Sequence, residues 1–180
     1  MSHRLQIEEL TPAQTSSIKL NYNYVTDSYY DFEKQIVEMG WEFRLNLKKF
    51  DQPIEKSSSS TLFESYVEKA KVFRASINQT PVGYLQIGHE TWNNRARIWE
   101  LLIFPEHRMQ NIGTELMKLA MDEAGKWGAR SLVLETQSCN TPAIRFYLKH
   151  GFQLIGFDSN HYSNQDVQRG EVRIEFGCVL

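Results

Sequence analysis

Residues 98–113 read IWELLIFPEHRMQNIG, and the helix that follows them completes the pattern. Ile98 to Phe104 is apolar and β-prone, so it reads as a buried strand, and Pro105 ends it because proline cannot donate to a ladder. A short polar turn, Glu106 to Asn111, leads to Gly113. Beyond it Ile112, Leu116, Leu119, Ala120, Ala124 and Trp127 recur at helical spacing and make one apolar stripe. The order strand, basic turn, glycine, helix suits an anion. The first N–H groups of a helix lack internal partners and the dipole makes that end positive. Gly113 lets the backbone approach a phosphate, and Arg108 adds a fixed positive charge at the entrance. A surface turn that merely carries an Arg and a Gly would read the same way. No P-loop and no G-x-G-x-x-G fingerprint is present.

A second strand–turn–helix follows at residues 132–152, LVLETQSCNTPAIRFYLKHGF. Leu132 to Glu135 reads as a strand, Gln137 to Thr141 as a polar turn, and Pro142 to His150 as a short helix capped by Asn140 or Thr141. Gly151 suits the residue that ends it. Ala143, Phe146 and Tyr147 share one face of this helix.

Together these stretches resemble the GNAT superfamily of N-acetyltransferases. Arg108-Met-Gln-Asn-Ile-Gly113 resembles its R/Q-x-x-G-x-G/A signature, and Asn140-x-x-Ala143-x-x-Phe146-Tyr147-x-x-x-Gly151-Phe152 its second motif. Within the superfamily, Leu134-Glu-Thr-Gln137 with Asn140-x-Pro-Ala143, and Thr91-Trp-Asn93 upstream, resembles the streptothricin acetyltransferases. Asn111 stands where the family usually has glycine, although Asn tolerates left-handed backbone better than most residues.

The resemblance implies an α/β fold: a mixed, twisted β-sheet flanked by helices, with a splayed central strand pair that admits acetyl-CoA as co-substrate. It implies one domain over residues 1–180 with its core motifs at about 80–160. The diphosphate would sit on the loop Arg108, Met109, Gln110, Asn111, Ile112, Gly113 and Thr114, and the pantetheine arm along the backbone of Leu102 and Ile103. Asn140, Ala143, Phe146 and Tyr147 would add cofactor contacts. Tyr147 would protonate the leaving thiolate, or else only pack. Glu100, a carboxylate inside an apolar strand, is the candidate base, with a buried salt bridge to Arg95 or Arg97 as the competing reading.

The 180 residues, 41% hydrophobic and 23% charged with a net charge of −2, fit a single soluble domain and argue against a nucleic-acid partner. No apolar run approaches the ~18 residues of a membrane span. MSHRLQIEEL lacks an export-signal core, so a cytoplasmic location is expected, where Cys139 and Cys178 would stay reduced. His3, His89, His107, His150 and His161 have no metal-ligand spacing, so no metal is assigned. The oligomeric state is not set by the sequence, and a homodimer stays open.

In order along the chain, Leu5 to Leu10 reads as a strand and Thr11-Pro12 opens a helical region. Residues 13–39 read as one or two helices whose Tyr22, Tyr24, Tyr29 and Tyr30 would line the acceptor site or simply pack. Trp41 to Leu47 reads as a strand, Asp51 to Ser60 as a flexible loop, and Phe63 to Ala70 as a helical turn. Val72 to Ile77 and Val82 to Trp92 form a hairpin. Gln153 to Ser159 and Glu171 to Cys178 are strands around a polar loop. The resemblance implies, as acceptor, a primary amine of a small cationic molecule such as a streptothricin-type antibiotic, for which Glu90, Glu100 and Asp158 are candidate carboxylates. An N-terminal or lysine amine of a protein (ribosomal-protein type), or a non-catalytic acyl-CoA-binding module, are the alternatives.

Overall fold

The computed structural model describes residues 4–180; His3 of the sequence reading lies outside them. The chain clusters into two compact units. One takes the chain through Tyr22 with Ser58–Leu134 and Cys178–Leu180; the other is Asn23–Ser57 with Glu135–Gly177.

In the first unit, β1 (Leu5–Leu10), β4 (Lys71–Ile77), β5 (Thr80–Glu90), β6 (Arg95–Ile103) and the start of β7 (Ser131–Gln137) lie side by side in that order. All pairings are antiparallel except β6 with β7, which is parallel. The sheet is therefore mixed, as expected. Helix α2 (Ile112–Lys126) packs on β5 and β6 and buries Ile112, Leu116, Met117, Ala120 and Ala124. Four of these belong to the expected stripe; Leu119 and Trp127 are only half-buried. The same face carries Glu123, which burial penalises but Lys126 and Lys71 hold ionised, each at 2.6 Å. On the sheet, Leu10, Leu20, Val72, Tyr84 and Leu102 form a buried cluster joined by Tyr22 and Phe104.

In the second unit, the end of β7, then β9 (Arg173–Val179) and β8 (Gln153–Asp158) run in that order, and β8 and β9 are antiparallel. Helix α3 (Thr141–Lys149) ends as expected at Gly151, whose φ of 86° is left-handed; Phe152 N closes back on Tyr147 O at 3.2 Å. Phe32, Phe43 and Phe157 pack together, with Phe157 4.7 and 5.0 Å from the other two rings. A short helix, α4 (Asp166–Arg169), interrupts the stretch expected to be loop.

The largest correction falls on residues 13–61. Only α1 (Pro12–Thr15) is helical, with Thr11 N–H donating to Gln14 Oε1 at 2.8 Å. Beyond it the chain forms β2 (Lys19–Val37), turns at Glu38 and Met39, and returns as β3 (Gly40–Thr61), a two-stranded sheet. Leu20, Tyr22, Tyr24, Thr26 and Ser28 are sheltered between exposed neighbours, a period of two; from Tyr29 to Glu33 every position is at least half-buried. The serine run, expected to be loop, is the last part of β3. Phe63 to Ala70 holds turns and no helix. No described helix is long and apolar enough to cross a membrane.

Candidate active site

Strand β6 carries the candidate residues of the first unit. Its register with β5 steps from Gln86↔Glu100 to Ile87↔Ile98, leaving Trp99 as an extra residue, a β-bulge that bends the strand. On the other side the ladder to β7 holds only Arg95↔Ser131, Ala96↔Leu132 and Arg97↔Val133, while β6 runs on to Ile103. The two strands thus part where the bulge falls. Phe104 N–H donates to Val82 O at 3.0 Å. By ladder alternation, Leu102 turns its N–H and C=O toward Tyr84 of β5, and Leu101 and Ile103 turn theirs to the opposite edge. The N–H groups of Leu101 and Ile103 therefore face the edge away from β5, while that of the expected Leu102 faces β5.

The loop after β6 is shaped by two left-handed residues, Met109 (φ 61°) and Asn111 (φ 66°). The Arg108 guanidinium is tied to the strand end, Nε donating to Ile103 O at 3.2 Å, and Gln110 Nε2 donates to Glu106 O at 3.1 Å. Asn111 is the N-cap of α2 yet its side chain accepts no capping bond. The first-turn N–H groups of Ile112, Gly113 and Thr114 so lack the partner an Asn cap normally provides, which leaves them suited to an anion. Because Asn111 already holds the left-handed backbone that glycine takes freely, Asn111→Gly is expected to keep acetyl-CoA affinity equal or better by calorimetry. A large loss would show that the Asn side chain itself contacts the cofactor.

The arginines considered for Glu100, Arg95 and Arg97, both pair with Glu90. Burial works against the charge of Glu90, but Arg97 at 2.5 Å and Arg95 at 3.0 Å overcome this and hold its carboxyl below the usual range. Glu100 accepts from two hydroxyls: Tyr22 Oη donates to its Oε2 at 2.5 Å, and Ser60 Oγ donates to its Oε1. Both partners come from the β2–β3 sheet, and neither was singled out from the sequence as a partner of this carboxylate.

In the second unit, Asn140 caps α3, its Oδ1 accepting from Ala143 N at 3.4 Å. Tyr147 lies among aromatic rings, 5.8 Å from Phe146, 6.1 Å from Phe176 and 6.2 Å from Phe152. Its phenol makes no hydrogen bond to any described residue, and burial, reinforced by the negative charge of Glu135, pushes its pKa up. Of the other tyrosines, Tyr24 donates to Gln137 Oε1 at 2.8 Å and touches Cys139 Sγ at 3.4 Å, while Tyr29 stacks on Phe50 at 4.5 Å. Asp158, an expected acceptor carboxylate, faces His161 at 3.6 Å. Among the described residues no group of three or more His, Cys, Asp or Glu is placed to hold a metal ion.

A sequence profile described as the acetyltransferase (GNAT) family matches residues 35–152, more than half of the chain. The chain belongs to that family. This GNAT chain is 39% identical over 80 residues to streptothricin acetyltransferase of Streptomyces lavendulae, a match covering 44% of this chain and 42% of that protein. It is 30% identical over 120 residues to streptothricin acetyltransferase A of Bacillus subtilis (strain 168), covering 65% and 69%. The chain thus aligns with less than half of the Streptomyces protein's length. The crystal structure of nourseothricin acetyltransferase superposes with a TM-score of 0.74 over 97% of this chain and 98% of that one, at 24% identity, so the fold is shared.

Proposed function

We propose that residues 1–180 act as one N-acetyltransferase domain that moves an acetyl group from acetyl-CoA to a primary amine of a small cationic acceptor, streptothricin-type antibiotics included. What chiefly supports this is the parting of β6 from β7 beyond Arg97↔Val133, which leaves backbone donors of a bulged strand to receive an extended arm. The loop from Arg108 to Thr114 would take the diphosphate on the first N–H groups of α2.

The chemistry divides into three tasks. Glu100 would take a proton from the acceptor ammonium, giving the neutral amine that attacks the thioester carbonyl carbon. Ile103 N–H, aimed along the open edge, would polarise that carbonyl; one such donor is typically worth roughly 3 kcal/mol of barrier. The tetrahedral intermediate then expels the thiolate, the Tyr147 phenol would protonate it, and the proton shed by the acylated nitrogen would restore the phenol. A phenol whose pKa is raised stays protonated at neutral pH, as this role requires. Holding donor and acceptor together removes much of the entropic cost of their encounter. Asn140, Ala143 and Phe146 would complete the cofactor contacts.

The net charge of −2 favours a small cationic acceptor over nucleic acid, and the two free cysteines accord with a reducing cytoplasm. A second reading is favoured by one comparison: the chain is 36% identical over 69 residues to a Bacillus subtilis protein described as a ribosomal protein bS18 alanine N-acetyltransferase. Thiol release from acetyl-CoA with a panel of acceptors separates the two. A β-lysine-bearing antibiotic or a polyamine is expected to give the highest kcat/KM. A peptide beginning with alanine outpacing both would replace the small-molecule reading with the protein one.

A further inference from the structure

The segment Thr91-Trp-Asn93 has no part in the chemistry above, yet it borders a cleft of about 190 Å³ in the first unit. The cleft is walled by Tyr66, Trp92 and Trp99, with Glu68, His89 and Glu90 around it. Trp92 is 80% exposed and Tyr66 62%, and the Tyr66 and Trp99 rings meet at 5.1 Å. Gly88 makes the wall possible: a Cβ there would stand 3.0 Å from Trp99 Nε1 and 2.7 Å from Val67, so no larger residue fits beneath the indole.

The two carboxylates of the cleft differ in state. Glu90 is neutralised by Arg95 and Arg97. Glu68 makes no salt bridge to any described residue; its Oε2 accepts from Thr91 N at 3.1 Å and Thr91 Oγ1 at 2.8 Å. Those bonds hold its carboxyl below the usual range, so it stays ionised. An ionised carboxylate beside exposed aromatic faces is a setting for an organic cation, through charge and cation–π attraction together. The cleft also adjoins the candidate base, because Trp99 is the bulged neighbour of Glu100 on β6.

We propose that this cleft is a cation subsite: Glu68, Tyr66 and Trp92 receive a second ammonium or guanidinium group of the acceptor while its reacting amine lies at Glu100. The proposal rests on the acetyltransferase reading for the identity of its guest as acceptor, and on the cleft alone for binding a cation. It makes the preferred acceptors dications rather than simple amines.

The test compares 1,4-diaminobutane with butylamine, first by calorimetry and then as acceptors. The wild-type chain is expected to favour the diamine on the order of tenfold, equivalent to about 1.4 kcal/mol. Trp92→Ala and Glu68→Gln, both at exposed positions, should each abolish that preference through KM, with kcat and acetyl-CoA affinity unchanged. Variants that keep the wild-type preference, or a wild type with none, would overturn the subsite. A diamine preference in binding that both variants lose, with no acetyl transfer to any amine, would uphold the subsite and refute the acetyltransferase reading instead.

Discussion

Replacing Tyr147 by Phe is expected to lower kcat by roughly 10²–10⁴-fold while acetyl-CoA affinity changes little. The phenol makes no hydrogen bond to a described residue, so its removal costs the fold no bond, and the ring contacts to Phe146, Phe152 and Phe176 survive in Phe. What is lost is the proton for the departing thiolate. The pH dependence has a definite sign. Burial and Glu135 raise the tyrosine's pKa, so the acid form persists above its ordinary range. The wild-type rate should therefore not fall through ionisation of this group as pH approaches 10, the ordinary value for a tyrosine. Steady-state rates across pH check both statements, and wild-type turnover in Tyr147→Phe would reduce the residue to packing.

Glu100→Gln should act at the other step. At neutral pH an acceptor amine is almost wholly protonated, and without the carboxylate the chain must wait for the small neutral fraction. A loss on the order of 10²-fold at pH 7 is expected, and it should shrink as the medium itself deprotonates the amine. The Gln amide can accept one hydroxyl through its oxygen and donate its NH2 to the oxygen of the other, so the local bonds need not collapse. A parallel fall at every pH would assign Glu100 to positioning, and an unshifted profile would leave solvent as the base.

These expectations draw on residues that differ greatly in how far the sequence alone exposed them. The run from Ile98 to Lys126 was legible because its signals are local: a β-prone apolar run, a proline stop, and helical periodicity. Asn111's left-handed backbone was expected because it stands where the resembling family usually has glycine, and it is observed. The β2–β3 sheet was missed although its alternation was present. The sheltered alternate positions are Tyr22, Tyr24, Thr26 and Ser28, amphipathic or polar residues that an apolar count ignores. Its serine run carries the turn composition of a loop, yet Ser60 serves Glu100 from a strand. The partners of Glu100 were out of reach for another reason. Tyr22 lies 78 residues away and Ser60 lies 40 away, and only tertiary pairing brings them in. The choice between Leu101 and Leu102 likewise depends on which neighbour β5 bonds, a matter of register.

The central claim is that this chain joins an acetyl group to an amine, and mass spectrometry of both products tests it most directly. After incubation with acetyl-CoA and a dicationic primary amine, one acetylated amine is expected for each free CoA, with none formed when the chain is omitted. Acetyl-CoA that binds the chain tightly yet leaves every amine in the panel unmodified would contradict the account and make the chain an acyl-CoA-binding module.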